Sequence, residues 1–226
     1  MAREVSYAQQ TIDSPNPFTR FAHRSRYRAS LDFADRLLPK GGSLVDFGAG
    51  EGTFLDQFSQ RRPDARLCAI EPYMQIRFPS ILQVTTLGEI APETMDLLSA
   101  FEVLEHLSDD DLESFLCDAK RALKQRGALL VTVPIMYGLA LPVKEVSRMI
   151  LHQRQSDTSF REMIVGTVGR SIERPSDRAP THKGFDFRWL RERISSHFQL
   201  TEQAYSPFDQ LPWWVNSQAI FVARPA

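Results

Sequence analysis

The sequence has little cysteine. Cys68 and Cys117 are the two in 226 residues, far apart and each within an apolar-periodic segment. That excludes a disulfide framework, and two buried free thiols fit a reducing compartment. No run is long and apolar enough for a transmembrane helix. The opening residues MAREVSYAQQ carry no apolar stretch of the secretory kind, so the expected location is cytoplasmic. Charge of one sign is also missing: 27 Lys and Arg face 28 Asp and Glu, a net charge of −1. The chain therefore has no general attraction to nucleic acid or anionic lipid. Neither G-x-x-x-x-G-K-[S/T] nor G-x-G-x-x-G occurs, which argues against a phosphate-cradling loop and a dinucleotide fingerprint.

What is present is an ordinary globular composition, 42% hydrophobic and 24% charged. The length suits one α/β domain over 1–226 with an insertion. Its organising stretch is Leu44-Val45-Asp46-Phe47-Gly48-Ala49-Gly50-Glu51-Gly52-Thr53-Phe54, which reads as a buried strand, a glycine turn and a helix start. Three alternate glycines allow positive φ and let a ligand approach the backbone, and the following helix start offers free N–H groups. Asp46 closes the strand beneath that turn. A second short strand over 66–70 ends in Glu71, on the neighbouring strand, placed to accept both hydroxyls of a ribose.

The remaining elements follow from periodicity and breakers. A polar arm ends at Ser14-Pro15-Asn16-Pro17, and 1–40 reads as this arm and a helix. Arg20, His23, Arg24, Arg26 and Arg28, interleaved with Phe18, Phe21 and Tyr27, read as a solvated helix face, the sharper alternative being a lid over a ligand. Leu31, Ala34, Leu37 and Leu38 carry helical spacing up to Pro39. Strands are predicted over 43–47, 66–70, 81–84, 95–101 and 128–133, with helices over 52–59, 109–124 (capped by Ser108 and Asp111) and 185–194. Residues 198–205 and 217–222 read as the last strands, with Pro212-Trp213-Trp214 between them. Residues 135–181 form a helical insertion. Leu141, Val146, Met149 and Ile150 mark one of its helices, and Phe160, Met163, Ile164 and Val168 another.

A second constellation follows the fourth strand, in Phe101-Glu102-Val103-Leu104-Glu105-His106-Leu107. Glu102, Glu105 and His106 have i, i+3, i+4 spacing, so one helical turn would bring all three to one face. His182 stands later, just before a helix. Two carboxylates and two imidazoles converging on one pocket would form a divalent-metal site.

The D-x-G-x-G-x-G…E pattern resembles the cofactor site of class I S-adenosylmethionine-dependent methyltransferases, strongest over 44–55, 71 and 96–107. That resemblance implies a Rossmann-like fold: a mostly parallel seven-stranded sheet with helices on both faces, closed by two final strands of which one is antiparallel. It implies S-adenosylmethionine as cofactor, held by Asp46, Gly48, Ala49, Gly50, Gly52, Glu71, Pro72 and Phe101. Arg26 or Tyr27 would meet the methionine carboxylate or the substrate. The adenine would pass 85–89, where Leu87 and Glu89 are alternatives. The E-x-x-E-H pattern with a distant His resembles ubiquinone-pathway O-methyltransferases and small-RNA 3′-terminal 2′-O-methyltransferases. It implies Glu102, Glu105, His106 and His182 as ligands of magnesium, manganese or zinc. The competing reading gives Glu102 and His106 acid–base roles with no metal.

The function expected is methylation of a hydroxyl on a small metabolite, glycan precursor or lipid-like acceptor. The insertion would serve as lid or, over 135–165, as a peripheral membrane contact. An RNA 2′-O-methyltransferase is the alternative, disfavoured by the near-neutral charge and the lack of an added RNA-binding module. A non-catalytic binding protein of the same fold is the other, disfavoured by the intact glycines and Glu71.

Overall fold

The computed structural model describes residues 17–139, 141–142, 159–170, 172–174 and 183–226. The polar arm, the insertion helix expected around Val146, Met149 and Ile150, most of the loop over 171–180, and His182 lie outside the described residues.

Among the described residues the chain builds one seven-stranded sheet. In chain order the elements are α1 (Pro17–Leu37), β1 (Ser43–Phe47), α2 (Thr53–Arg61), β2 (Arg66–Ile70), β3 (Leu82–Val84) and β4 (Met95–Phe101). There follow α3 (Asp109–Ala122), β5 (Leu123–Pro134), α4 (Phe160–Thr167), α5 (Phe187–Ser195), β6 (Phe198–Ser206) and β7 (Gln218–Pro225). The strand order is β3-β2-β1-β4-β5-β7-β6. Every pairing is parallel except those of β7, which runs antiparallel to both β5 and β6. This is the expected mostly parallel Rossmann-like sheet with one reversed strand.

Both faces are covered, which is why the central strands read as continuous apolar runs. On one face, Leu31, Ala34 and Leu38 of the α1 segment and Phe54, Leu55 and Phe58 of α2 pack on Leu44, Leu97 and Leu130. On the other, Leu112, Phe115, Leu116 and Ala119 of α3 join Phe187, Leu190 and Ile194 of α5. The i, i+3, i+4, i+7 spacing on α3 produces that stripe. Its ends match the helix dipole: Asp109, Asp110 and Asp111 open it and Lys120 and Arg121 close it. Ser108 caps it, accepting the Asp111 N–H at 3.1 Å.

Several boundaries differ from expectation for identifiable reasons. The helix predicted to 124 stops at Ala122, and β5 begins at once, because Leu123 already pairs with Met95. Gly127 lies inside that strand, not at a helix end. A Cβ there would stand 3.0 Å from the Met95 carbonyl oxygen, so a close backbone approach at the register shift requires glycine. The helix predicted from 185 starts at Phe187, because Asp186 caps it by accepting the Arg188 N–H at 2.9 Å. Cys117 is exposed, contrary to the expected burial, while Cys68 is buried. On an amphipathic helix a position one or two residues from the apolar stripe turns outward.

The described connection 71–81 between β2 and β3 contains no helix, although parallel neighbours usually need a helical crossover. Gln83 serves instead: its amide donates to the carbonyls of Glu71 (2.9 Å) and Met74 (2.8 Å), and its oxygen accepts the Ile76 N–H. Among the described residues, no helix is long and apolar enough to cross a membrane.

Phe58 is fully buried and stacks on Phe54 at 5.8 Å between ring centroids. Phe58→Ala is expected to lower unfolding free energy by about 3–5 kcal/mol through lost burial plus a residual cavity. Chemical denaturation measures it.

Candidate functional site

The site is assembled by register. Parallel pairing sets Asp46 opposite both Ala69 and Ser99, so the ends of β1, β2 and β4 reach the same edge. Ligands of open α/β sheets bind at that carboxyl edge. A groove of about 480 Å³ lined by Ser43, Cys68, Leu82, Met95 and Lys124 lies at the opposite, amino edge and contains none of the expected site residues.

The glycine turn has the expected backbone. Gly48 adopts φ 74° and Gly52 φ 85°. A side chain at Gly48 would bring its Cβ to 2.5 Å of Val103, and one at Gly52 to 2.9 Å of Ile76. Gly48 and Ala49 both donate to the Ile70 carbonyl, at 2.9 and 3.3 Å, which pins the turn to the end of β2. Gly52 is the N-cap of α2.

Glu71 is buried and completes the turn from the side. One carboxylate oxygen accepts the Gly50 N–H at 2.9 Å; the other accepts Tyr73 N–H at 2.9 Å and Met74 N–H at 3.3 Å. The oxygen that accepts from Gly50 has a second lone pair, so it can accept a further donor. Pro72 and Tyr73 are exposed beside it. The loop is fastened back on the turn by Arg77, whose guanidinium pairs with Glu51 and whose N–H donates to the Glu51 carbonyl. Sequence reasoning did not find Gln83 or this pair, since both act across a loop with no periodic signal.

Asp46 is 3% exposed and accepts the Ser99 hydroxyl at 2.7 Å. Burial pushes its carboxyl up to about 7, opposed by that hydrogen bond. Tyr27 of α1 stands over the same place, edge-on to Phe54. Its hydroxyl is buried with no hydrogen-bond partner. Burial first, then the negative charges of Asp46 and Asp56, raise its pKa far above the ordinary tyrosine range, so it remains an O–H donor. Phe101 packs edge-on to Phe54 at 4.6 Å. Beyond β3, the Leu87 side chain is buried in the core. The Glu89 carboxylate caps its own turn, accepting the N–H groups of Thr85 and Thr86 at 2.9 Å each.

The E-x-x-E-H segment departs from expectation. Glu102 takes a left-handed backbone, φ 56°, and Leu104–His106 forms a 3₁₀ turn. With three residues per turn and a reversed residue in front, Glu102, Glu105 and His106 do not share a helical face. Glu105 is buried, its carbonyl taking a hydrogen bond from Arg174, whereas His106 is exposed. The Glu102 carboxylate accepts the Gln218 amide at 2.8 Å and faces Arg26 at 3.5 Å. Among the described residues, the His/Cys/Asp/Glu group whose ligand atoms lie within 4.8 Å of one another is Glu113, Cys117 and His197, on other elements. Glu102, Glu105 and His106 as placed do not fit the metal cluster expected of them, and His182 lies outside the described residues.

Gln218 is the functional-edge residue the sequence conceals. It opens β7 ahead of the apolar run 219–223, 116 positions from its partner Glu102. Pairing of β7 with β5 puts Gln218 opposite Pro134 and Ile220 opposite Thr132, so Gln218 and Thr132 share a sheet face. The Glu102 N–H donates to the Thr132 carbonyl at 2.9 Å. Both Gln218 Oε1 and Thr132 Oγ1 are buried without a hydrogen-bond partner. Glu102 thus combines a positive φ with buried polar neighbours that lack partners.

The Asp46 carboxyl titrates above its ordinary value, so the fold disfavours its ionised form. Stability from this group is complete below about pH 4 and is lost as pH rises towards 7. Asp46→Asn, which keeps an acceptor for Ser99, should therefore gain in thermal midpoint relative to wild type between pH 5 and pH 8. A pH-independent difference in paired melting curves would overturn the assignment.

A methyltransferase domain family model matches residues 20–164, more than half of the chain. No curated protein matches the sequence. Among solved structures, the PH0226 protein of Pyrococcus horikoshii superposes with TM-score 0.62 at 10% identity, covering 97% of this chain and 96% of that one. The 1,6-didemethyltoxoflavin-N1-methyltransferase of Burkholderia thailandensis, solved with 1,6-didemethyltoxoflavin and S-adenosylhomocysteine, superposes with TM-score 0.57 at 16% identity, covering 97% and 85%. Phosphoethanolamine N-methyltransferase 2 of Haemonchus contortus, in complex with S-adenosyl-L-methionine, gives TM-score 0.57 at 14% identity, covering 98% and 60%. At these identities the structural likeness carries the fold, whereas the family match carries the membership. With its glycine turn, Asp46 and Glu71 gathered at one sheet edge, the chain belongs to the methyltransferase domain family.

Proposed function

We propose that this protein transfers a methyl group from S-adenosylmethionine to a hydroxyl of a lipid-like acceptor. The observation that carries the hydroxyl is the corner formed by Glu102, Gln218 Oε1 and Thr132 Oγ1. Its partly exposed member is the Glu102 carboxylate, an acceptor backed by the Gln218 amide, and so it suits a ligand that donates. The lipid-like character rests on α4 and its C-cap, where Phe160, Ile164 and Val168 are exposed at i, i+4, i+8 spacing.

S-adenosylmethionine supplies an electrophilic methyl on a sulfonium centre, so the protein chiefly has to align the partners and handle one proton. In this reading Glu71 accepts a ribose hydroxyl at the oxygen that faces Gly50, the glycine turn admits the donor against the backbone, and the Tyr27 hydroxyl and Arg26 meet its carboxylate. Glu102, steadied by Gln218, accepts the acceptor's hydroxyl proton as the new C–O bond forms and the C–S electron pair stays on sulfur. His106, exposed at the same edge, is the second candidate base. As placed, Glu102, Glu105 and His106 share no ligand cluster, so the proton passes to a side chain.

Two measurements test this reading. Glu71→Ala should raise the calorimetric Kd for S-adenosylhomocysteine at least tenfold with far-ultraviolet circular dichroism unchanged; unaltered affinity would sink the donor site. Wild type should label the organic phase of a total bacterial lipid extract from methyl-tritiated S-adenosylmethionine. Glu102→Gln should cut that labelling about a hundredfold while leaving S-adenosylhomocysteine affinity within twofold, a loss typical of removing a positioned base. Label confined to the aqueous phase would reject the lipid-like acceptor.

A further inference from the structure

We propose that Glu113, Cys117 and His197 form a binding site for a zinc-class transition-metal ion, separate from the carboxyl-edge site. Glu113 and Cys117 lie at i, i+4 on α3, so both side chains leave the same helix face. His197 sits in the corner between α5 and β6, where its N–H donates to the Ile194 carbonyl at 3.1 Å. One ligand atom from each residue lies within 4.8 Å of the other two.

The carboxylate is oriented for such a role. Arg193 donates to one Glu113 oxygen at 2.9 Å, and His197 Nε2 meets the other at 2.7 Å. An outer partner that fixes a ligating carboxylate while leaving its second oxygen for the ion is a recurrent feature of metal sites. Metal–sulfur and metal–nitrogen bonds of about 2.3 and 2.0 Å require ligand separations of roughly 3.2–3.8 Å. The Glu113–His197 contact therefore has to open by less than about 1 Å, within reach of a side chain that is 44% exposed. Cys117 is exposed, so an ion reaches the thiol directly.

The donor set decides the ion. Thiolate, imidazole and one carboxylate suit zinc or cobalt, whereas magnesium and calcium prefer all-oxygen shells. On binding, the thiol releases its proton to solvent and the imidazole binds in the Nδ1–H tautomer. Thiolate and carboxylate together neutralise a divalent ion, and water takes the fourth position. The bound ion ties α3 to the start of the C-terminal hairpin, and stabilises the fold by mass action.

The assignment can be read through a single thiol, because Cys68, the chain's other cysteine, is buried. Reduced full-length protein titrated with cobalt(II) should develop a thiolate-to-cobalt charge-transfer band that saturates at one equivalent. One equivalent of zinc should bleach it and raise the thermal midpoint, and magnesium should do neither. Cys117→Ser should lose the band, and His197→Ala should weaken cobalt binding at least tenfold. Absence of a thiolate band in wild type, or its persistence in Cys117→Ser, would overturn the site. S-adenosylhomocysteine affinity within twofold of wild type in both variants would show that the loss is separate from the donor site.

Discussion

The parallel register that holds β1 between β2 and β4 is the constraint on which the rest depends. It places Asp46 beside Ala69 and Ser99, and so delivers the glycine turn, Glu71 and Glu102 to one edge. A slip of one residue would turn Asp46 to the other face of the sheet and lose the Ser99 hydrogen bond. Burial of both sheet faces makes such a slip costly, since Val45 and Leu44 would exchange two different cores.

That edge is kept in a partly unsatisfied state. Asp46 is protonated more readily than a solvated aspartate, the Tyr27 hydroxyl is buried without a partner, and Gln218 and Thr132 each leave an oxygen orphaned. Each such group costs on the order of 1–3 kcal/mol until something donates to it or accepts from it. The left-handed backbone of Glu102 adds strain of similar size. The two apolar cores on the faces of the sheet offset these costs.

The loop after β2 shows how a missing element is replaced. With no crossover helix over 71–81, Glu71, Gln83 and the Arg77–Glu51 pair lace the loop to the glycine turn through backbone groups. One carboxylate thereby serves both to hold the loop and to face the ligand edge. Such doubling leaves little room for substitution at Glu71.

Much of this was legible from local pattern. The glycine turn, Asp46 and Glu71 announce themselves because strand, turn and helix signals are contiguous and the strand ends are set by short apolar runs. The mostly parallel sheet followed from apolar strands alternating with amphipathic helices. The i, i+3, i+4 spacing of Glu102, Glu105 and His106 misled, because spacing predicts a common face only where the backbone is α-helical, and Glu102 is not. Cys117 read as buried because periodicity resolves a helix face only to about one residue either side. The sequence by itself determined the class of fold and the glycine turn with Asp46 and Glu71 at strand ends, since each is signalled by a contiguous strand and turn pattern. Tertiary structure alone decided that Gln218 steadies Glu102, that Gln83 replaces a helix, and that His197 meets Glu113 and Cys117. Those pairs are joined by strand order and helix packing, which no local spacing encodes.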